Sequence, residues 1–213
     1  FVKATLTYEN GTVKEGFVEM VEATDSKVKF RATEKGDTEK ILSSELKKIV
    51  FNHDDGSTSI AEKLFINKVK GEDEVKKSKK QYWLYVVYSH GIKIAVDIAI
   101  STFRYNAISG TSTGMGGATM LHVGKEKDDG VYFVFPLEDM MSINIGMDRS
   151  VRKRCAFLFK DCPKFLEAVN NENFKKPTLI NRLIELYETN NCNKPVQVKK
   201  EEKNKKVVSK KKK

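Results

Sequence analysis

The sequence predicts an α+β protein in which a mostly antiparallel β body is followed by a C-terminal helical segment. Turn signals recur between short runs of β-branched and aromatic residues over roughly the first two thirds of the chain. From Asp148 the spacing of apolar residues changes from the period of a strand to that of a helix. The longest apolar run, Gln81 to Ile100, is broken by His90-Gly91 and predicts a central hairpin.

The chain opens with a predicted hairpin around Asn10-Gly11, a pair that tolerates the positive φ angles of a type I′ turn. Gly16, in the second strand of this hairpin, predicts a bulge or a bend. Ser43 to Leu46 is typical of a capped single helical turn. The predicted strands are Val2 to Tyr8, Thr12 to Val21, Lys27 to Thr33, Thr38 to Leu42 and Lys47 to Phe51. These short strands favour a small SH3-like barrel or a curled sheet, and we assign residues 1–70 to this N-terminal β unit.

Two polar segments separate the next predicted strands. In the loop Asn52 to Ser59, the run Asp54-Asp55-Gly56 lacks the alternating acidic residues of a calcium loop, so we interpret it as an ordinary turn. Ile60 to Val69 predicts a further strand or a short helix. The charged segment Gly71 to Lys80 predicts a connection or an exposed hairpin end, and it opens a central antiparallel β region over residues 71–147.

The central hairpin has a predictable register. His90-Gly91 predicts a two-residue turn in which Gly91 takes a positive φ. Because both faces of the hairpin are apolar, we expect it at the centre of a sheet or between two layers. One predicted core face consists of the pairs Ser89 with Ile92, Val87 with Ile94, Tyr85 with Val96 and Trp83 with Ile98.

The opposite face of this hairpin sets large side chains beside small ones. Ala95 and Ala99 leave a shallow space between bulkier neighbours. We expect a C-terminal helix to pack there through its apolar stripe, which consists of Ile180, Leu183, Ile184 and Tyr187. The hairpin is then the predicted joint between the β body and the helical end.

A glycine-rich segment follows, with Gly110, Gly114, Gly116 and Gly117. It has neither the Gly-Lys-Ser/Thr ending of a P-loop nor the glycine spacing of a dinucleotide site, so we predict a flexible loop. Asp128-Asp129-Gly130 then predicts another hairpin turn. The strands of that hairpin are Met120 to Val123 and Val131 to Phe135.

Residues 148–192 predict C-terminal helices packed on the β body. Ser150 is the expected N-cap of the first helix, and the run Arg152-Lys153-Arg154 is expected on its solvent side. Pro163 suits the first turn of a second helix, where its missing N–H costs nothing. A third helix is predicted from Pro177 to about Thr189, antiparallel to the second.

The antiparallel helices bring two cysteines together. The start of the second helix and the end of the third place Cys162 beside Cys192 as a candidate disulfide. Closing a loop of about 30 residues would stabilise the fold by roughly 3 to 4 kcal/mol in the chain-entropy model. Cys155 lies on the apolar stripe of the first helix and predicts a buried thiol. Three cysteines leave the redox compartment open, so the pairing is a hypothesis.

The C-terminal part carries a resemblance. The runs FLFKDCPKFLEAVNNENF and LINRLIELYETNNC resemble the C-terminal signature of a group of uncharacterised exported proteins of Gram-negative gut bacteria, in which an Asp-Cys-Pro helix follows an aromatic-rich β region. The distinctive residues are Asp161-Cys162-Pro163, Tyr187 and Cys192. The resemblance implies export to the periplasm or cell surface and a retained cysteine pair, and it implies no activity. The glycine-rich loop and the lysine tail depart from the pattern.

Most of the positive charge lies at the C-terminus. Residues 196–213 hold nine Lys and two Glu, so this tail carries +7 of the net charge of +10. Such a run buries too little apolar surface to offset its ordering entropy, so we predict that residues 193–213 form a disordered Lys-rich tail. No apolar run approaches the ~18 to 20 residues of a membrane-spanning helix. The chain begins at Phe1, so we expect an upstream segment to have been removed, and a cleaved signal peptide is one route.

The sequence contains no catalytic motif. The histidines His53, His90 and His122 form no HExxH pattern, and neither a nucleophile elbow nor a paired-cysteine zinc motif is present. We therefore predict no catalytic, cofactor-binding or metal-binding residues and no cofactor, although a triad of distant residues would leave no sequence trace.

Three functions remain open. The first is an exported, noncatalytic binding or scaffolding module of the cell envelope, in the periplasm or at the cell surface, with a protein or envelope ligand as its partner. The second is a binder of nucleic acid or an anionic surface that acts through the lysine tail. The third is a hydrolase without a visible motif. We expect at most a weak anionic-surface contact and no nucleic-acid partner, because the N-terminal strands lack interleaved basic and aromatic residues.

Overall fold

A computed structural model describes residues 1–70, 74–97, 104–106, 111–113, 119–137 and 146–190. The strands are β1 (Val2–Tyr8), β2 (Val13–Val18), β3 (Lys27–Arg31), β4 (Glu39–Leu42), β5 (Leu46–Asn52), β6 (Thr58–Lys70), β7 (Glu74–Lys76), β8 (Gln81–His90), β9 (Ile92–Asp97), β10 (Arg104–Asn106), β11 (Thr111–Thr113), β12 (Met120–Lys125) and β13 (Gly130–Pro136). The helices are α1 (Met147–Leu158), α2 (Pro163–Asn171) and α3 (Leu179–Thr189), with 3-10 turns at Ser43–Glu45 and Lys176–Thr178. The predicted α+β fold, a β body followed by a helical segment, is confirmed. None of the described helices has both the length and the apolar character needed to cross a membrane.

The N-terminal strands form a sheet in the order β5-β1-β2-β3-β4. The 3-10 turn Ser43–Glu45 carries the chain from β4 into β5, which returns to pair antiparallel with β1. Gly16 lies opposite Ala4 in an unbroken register, so it forms no bulge, whereas the bend that the sequence also predicted there stays a prediction. A Cβ atom at this position would lie 2.4 Å from the Arg31 carbonyl oxygen and 2.5 Å from the Phe30 ring. Glycine is therefore required here because β3 approaches the backbone closely.

The central strands close into a small five-stranded barrel. Antiparallel pairing runs through β6-β8-β9-β12-β13, and β13 then pairs in parallel with β6. The closing pair is parallel because an odd number of alternating strands returns to the first strand in the same direction. The long strand β6 also pairs with β5, so it belongs to both the N-terminal sheet and the barrel. The division into residues 1–70, 71–147, 148–192 and 193–213 stays a prediction.

The central hairpin has the predicted turn but a modified register. Gly91 has a φ of 73°, and it is the single residue between β8 and β9. Tyr85 pairs with Val96 as expected, whereas the register shifts nearer the turn. The irregularity falls at Val87, whose side chain is 49% exposed instead of lying on the core face. Between this irregularity and the turn, β8 and β9 pair through Tyr88 with Ile94, Ser89 with Lys93 and His90 with Ile92.

Barrel closure gives the hairpin an inner and an outer face. The inner face contributes Leu84 and Ala95 to a small apolar cluster with Leu64 and Val131. The outer face, which includes Trp83, joins the large core shared with the N-terminal sheet and the helices. The prediction that a helix packs on Ala95 is therefore wrong, because this side of the hairpin faces the barrel interior. Ala99 lies outside the described residues. The outer-face residues of β9 in the large core are Ile92, Ile94 and Val96.

The basic residues of α1 hold the helix in place. Arg152 donates to the backbone oxygens of Val169 and Glu172, and Arg154 donates to the Phe133 oxygen. The expectation that this run faces solvent is therefore wrong for both arginines, while Lys153 is exposed. Ser150 lies within α1, where its hydroxyl donates to the Val134 oxygen; the N-cap residue is Gly146.

Two aromatic residues of β8 join the barrel to the N-terminal sheet. The Trp83 indole N–H donates to Ser43 Oγ at 3.1 Å, and both side chains are buried. The Tyr85 hydroxyl donates to the Val21 oxygen and accepts from the Val21 N–H, at 3.0 and 3.1 Å. Burial, opposed in part by the Val21 hydrogen bond, raises the pKa of Tyr85 to about 12.

This pKa predicts a loss of stability at high pH. The unfolded chain ionises Tyr85 near pH 10, whereas the folded protein retains the proton until about pH 12. The neutral Tyr85 therefore contributes its full stabilisation below pH 10, and about 2–3 kcal/mol of the free energy of unfolding is lost as the pH rises from 10 to 12. Urea unfolding at several alkaline pH values should show a shallower decline for Tyr85→Phe than for the wild type. Equal slopes would contradict the prediction.

The structure confirms the prediction for Cys155 and does not test the one for Cys162 and Cys192. Cys155 is a buried free thiol, and burial raises its pKa to about 12. Cys162 is the N-cap residue of α2, and α3 ends at Thr189, close in sequence to Cys192. Cys192 lies outside the described residues, so the Cys162–Cys192 bond stays a prediction.

Candidate functional site

The barrel interior holds a lysine among apolar side chains. Lys93 of β9 reaches across to Glu62 of β6, with 3.3 Å between Nζ and the carboxylate oxygen. Its ammonium also donates to the backbone carbonyl oxygen of Asp128 at 3.0 Å. The Lys93 side chain is 7% exposed and that of Glu62 is 25% exposed. This pair links two strands that are separated by β8, so it braces the barrel.

His122 is a further ionisable residue that faces the barrel interior. It lies opposite Ala95, and its Nε2 is 3.7 Å from Asp97 Oδ2. The Asp97 carboxylate also accepts the Met120 N–H at 2.7 Å. Among the described residues neither ring nitrogen of His122 has a hydrogen-bond partner, and the residue is 2% exposed. A general base must come within about 3 Å of the heavy atom whose proton it removes, and in this arrangement His122 is buried away from solvent.

Metal binding has no visible candidate in the part of the chain that the structure describes. No group of three or more His, Cys, Asp or Glu side chains lies together within these residues. The Asp54-Asp55-Gly56 run is a tight turn, in which Asp55 accepts hydrogen bonds from the N–H and hydroxyl of Ser57. These bonds lower the pKa of Asp55.

A recess of about 510 Å³ separates the barrel from the start of α3. Its barrel side carries Val87, which the β-bulge exposes, and Leu137 after the end of β13. On the helical side, Lys176 lies with its Nζ 5.5 Å from the centre of the Phe135 ring. We call this recess the α3 groove; it is lined by Val87, Leu137, Lys176, Pro177, Ile180 and Asn181.

A second recess of about 420 Å³ adjoins the α3 groove at Asn181. Its lining carries more charged residues than that of the α3 groove. Arg182 forms ion pairs with Glu172 and Glu185, each at 2.6 Å, and these carboxylates raise the pKa of Arg182. Lys175 lies at the same recess and forms no ion pair with a described carboxylate. The two recesses together offer an apolar site followed by a polar one along the helix.

The charged residues of β9 are visible as a pattern in the sequence, whereas the α3 groove is not. Lys93 and Asp97 stand out as charged residues at alternate positions of an apolar strand, a pattern that places them on one face of the strand but does not say whether that face is turned inward. The α3 groove left no such pattern because it depends on the bulge at Val87. The glycines at 110, 114, 116 and 117 and the lysine tail lie outside the described residues, so their predicted roles stay predictions.

Comparisons with protein-family models, with curated proteins and with solved structures found no match to this chain.

Proposed function

We propose that this protein is a noncatalytic binding or scaffolding module of the cell envelope, and that the α3 groove holds an extended segment of a partner protein. The resemblance to exported proteins supports the envelope location, and the candidate Cys162–Cys192 bond suits an oxidising compartment.

The α3 groove is the observation that carries the proposal. Val87 is held out of the core by the bulge, so a large apolar side chain is presented to solvent beside a recess. The α3 side of the groove is anchored to the β body, since the Tyr88 hydroxyl donates to Glu188 Oε1 at 2.8 Å. A recess between two anchored elements requires little ordering when a ligand binds.

The groove also indicates the chemistry of the partner. An apolar side chain would fill the space beside Val87 and Ile180, and an acidic residue further along the segment would reach Lys175. The partner is therefore expected to offer an extended segment with an apolar residue followed by an acidic one.

Photo-crosslinking in cells of the native host tests this proposal. A photoreactive side chain at Val87 should form a covalent product with an envelope protein, because this position borders the groove. The same group at Val13 is the matched control, since Val13 is 56% exposed at the start of β2, outside the groove. Adding Ile180→Lys to the Val87 probe should reduce the product about fivefold, the effect of losing about 1 kcal/mol of binding.

Two results would count against the proposal. Equal products from the probes at Val87 and Val13 would show that the groove has no special role. Recovery of the full gene product in the cytoplasmic fraction would remove the envelope location.

A further inference from the structure

A third recess, of about 470 Å³, lies where the N-terminal sheet meets the barrel. We call it the interunit crevice. Its lining comes from the turn between β2 and β3, the connection after β4, the middle of β6 and the start of β8. The lining residues that matter here are Ser26, Ser43, Ser44, Lys63, Lys80 and Asp25.

The positions of these residues are fixed by the joint between the two units. Ser43 donates its backbone N–H to the Ser26 oxygen, which holds the two serine-bearing turns together. Trp83 donates its indole N–H to Ser43 Oγ and its backbone N–H to the Ala23 oxygen. Lys63 lies directly opposite Trp83 in the β6–β8 pairing, with its Nζ 5.6 Å from the centre of that ring.

Lys63 is a partly buried cation without a close counter-ion in the part of the chain that the structure describes. Burial lowers its pKa, and the more distant Glu9 only partly opposes this effect. Neither Lys63 nor Lys80 forms an ion pair with a carboxylate among the described residues. Asp25 brings one negative charge to the crevice, and its carboxylate already accepts the Glu22 N–H at 2.8 Å. The crevice therefore carries two ammonium groups against one engaged carboxylate.

The donors in the crevice suit an oxyanion. Ser26 and Ser44 line it together with Lys63 and Lys80, and the hydroxyl and ammonium donors of these residue types both bind phosphate oxygens. A recess of this volume is within the range of small-molecule sites, which is about 300 to 1,000 Å³. An anion held there would give Lys63 the counter-ion that none of the described residues supplies.

We propose that the interunit crevice is a binding site for the phosphate group of a small phosphorylated ligand. Lys63 and Lys80 neutralise the charge, and the serine hydroxyls bind the remaining oxygens. The site lies on different elements from the α3 groove, so it goes beyond the proposed partner-binding function and does not depend on it.

Titration of the full ¹⁵N-labelled chain with inorganic phosphate, at constant ionic strength, tests the site by amide chemical shifts. We expect saturable shifts at the amides of Ser26, Ser43 and Ser44. Lys63→Gln should weaken the binding about tenfold, the effect of losing one charge-assisted contact of about 1.4 kcal/mol. Lys80→Gln provides a second test, since Lys80 is exposed and its replacement should leave the fold intact. Lys153→Gln, an exposed change on α1, is the control and should bind like the wild type.

The outcomes separate the crevice from other sources of binding. Shifts confined to residues 196–213 would overturn the proposal and assign the binding to the lysine tail. Shifts that persist unchanged in both Lys63→Gln and Lys80→Gln would also overturn it, because these lysines would then not hold the phosphate. An absence of saturable shifts would also overturn it. A parallel titration with glycerol phosphate distinguishes the sources: tighter binding than inorganic phosphate supports a phosphomonoester, and equal binding supports recognition of the phosphate group alone.

Discussion

Trp83→Ala should lower the free energy of unfolding by about 3–5 kcal/mol, the range for removing a large buried aromatic side chain. Trp83 is 1% exposed and belongs to the core shared by the N-terminal sheet, the barrel wall and the helices. Its replacement opens a cavity at the joint between the two β units and leaves Ser43 without the indole N–H. Because Trp83 is the single tryptophan of the chain, unfolding in urea should be followed by circular dichroism instead of fluorescence.

A second variant separates packing from hydrogen bonding at this joint. Trp83→Phe keeps much of the ring volume but loses the donor to Ser43, whose side chain is buried. We expect a smaller loss of about 1–2 kcal/mol for this change. A loss below about 1 kcal/mol for Trp83→Ala would mean that the two β units do not depend on this contact.

Glu62→Gln should lower the free energy of unfolding by about 1–3 kcal/mol, because it leaves the Lys93 ammonium in the barrel without its carboxylate. Lys93 is 6% exposed, and its remaining partner is the Asp128 oxygen. Removing one member of a fully buried ion pair costs more, but the Glu62 side chain is a quarter exposed, so solvent weakens the effect. Urea unfolding at neutral pH measures the change.

Lys93→Met is the matched variant for the same pair. It removes the buried charge and leaves Glu62 close enough to solvent to remain hydrated, so stability should stay within about 1 kcal/mol of the wild type. The test compares the loss of stability in Lys93→Met with the loss in Glu62→Gln. If Lys93→Met proved more costly than Glu62→Gln, the ammonium would be contributing more than its desolvation costs.

The turn at Gly91 shows how far local chemistry predicts the fold. Glycine at this position predicted a positive φ, and the residue has one. The predicted two-residue turn became a single-residue connection, and the bulge at Val87 restores the Tyr85–Val96 pair further along the strands. Turn residues constrain the backbone locally, whereas the curvature that a closed barrel demands determines where a bulge falls.

The two faces of β9 show where the sequence was insufficient. Strict alternation separated Ala95 from Ile94 and Val96, and the structure preserves that separation. The pattern did not say which face would be enclosed by the barrel, because both faces are apolar. A helix was expected on Ala95, but closure of β13 onto β6 encloses that face and leaves Ile94 and Val96 to the large core.

Arg152 and Arg154 show the same limit on a helix. A run of basic residues on a helix usually faces solvent, and the sequence alone favoured that interpretation. The carbonyl oxygens that these arginines bind, at Val169, Glu172 and Phe133, come from α2, its C-terminal end and β13. These acceptors are distant in sequence, so only the packed structure brings them to the guanidinium groups.

By itself, the sequence determined the α+β class, most of the strands, the three helices and the positive φ at Gly91, because periodicity and turn chemistry act over a few neighbouring residues. The tertiary structure decided the closure of the barrel through β6 and β13, the inward position of Lys93 and His122, the α3 groove and the interunit crevice. Each of these features depends on contacts between segments far apart in the chain. Their formation is set by how well whole faces pack together, and no local pattern of residues records that fit.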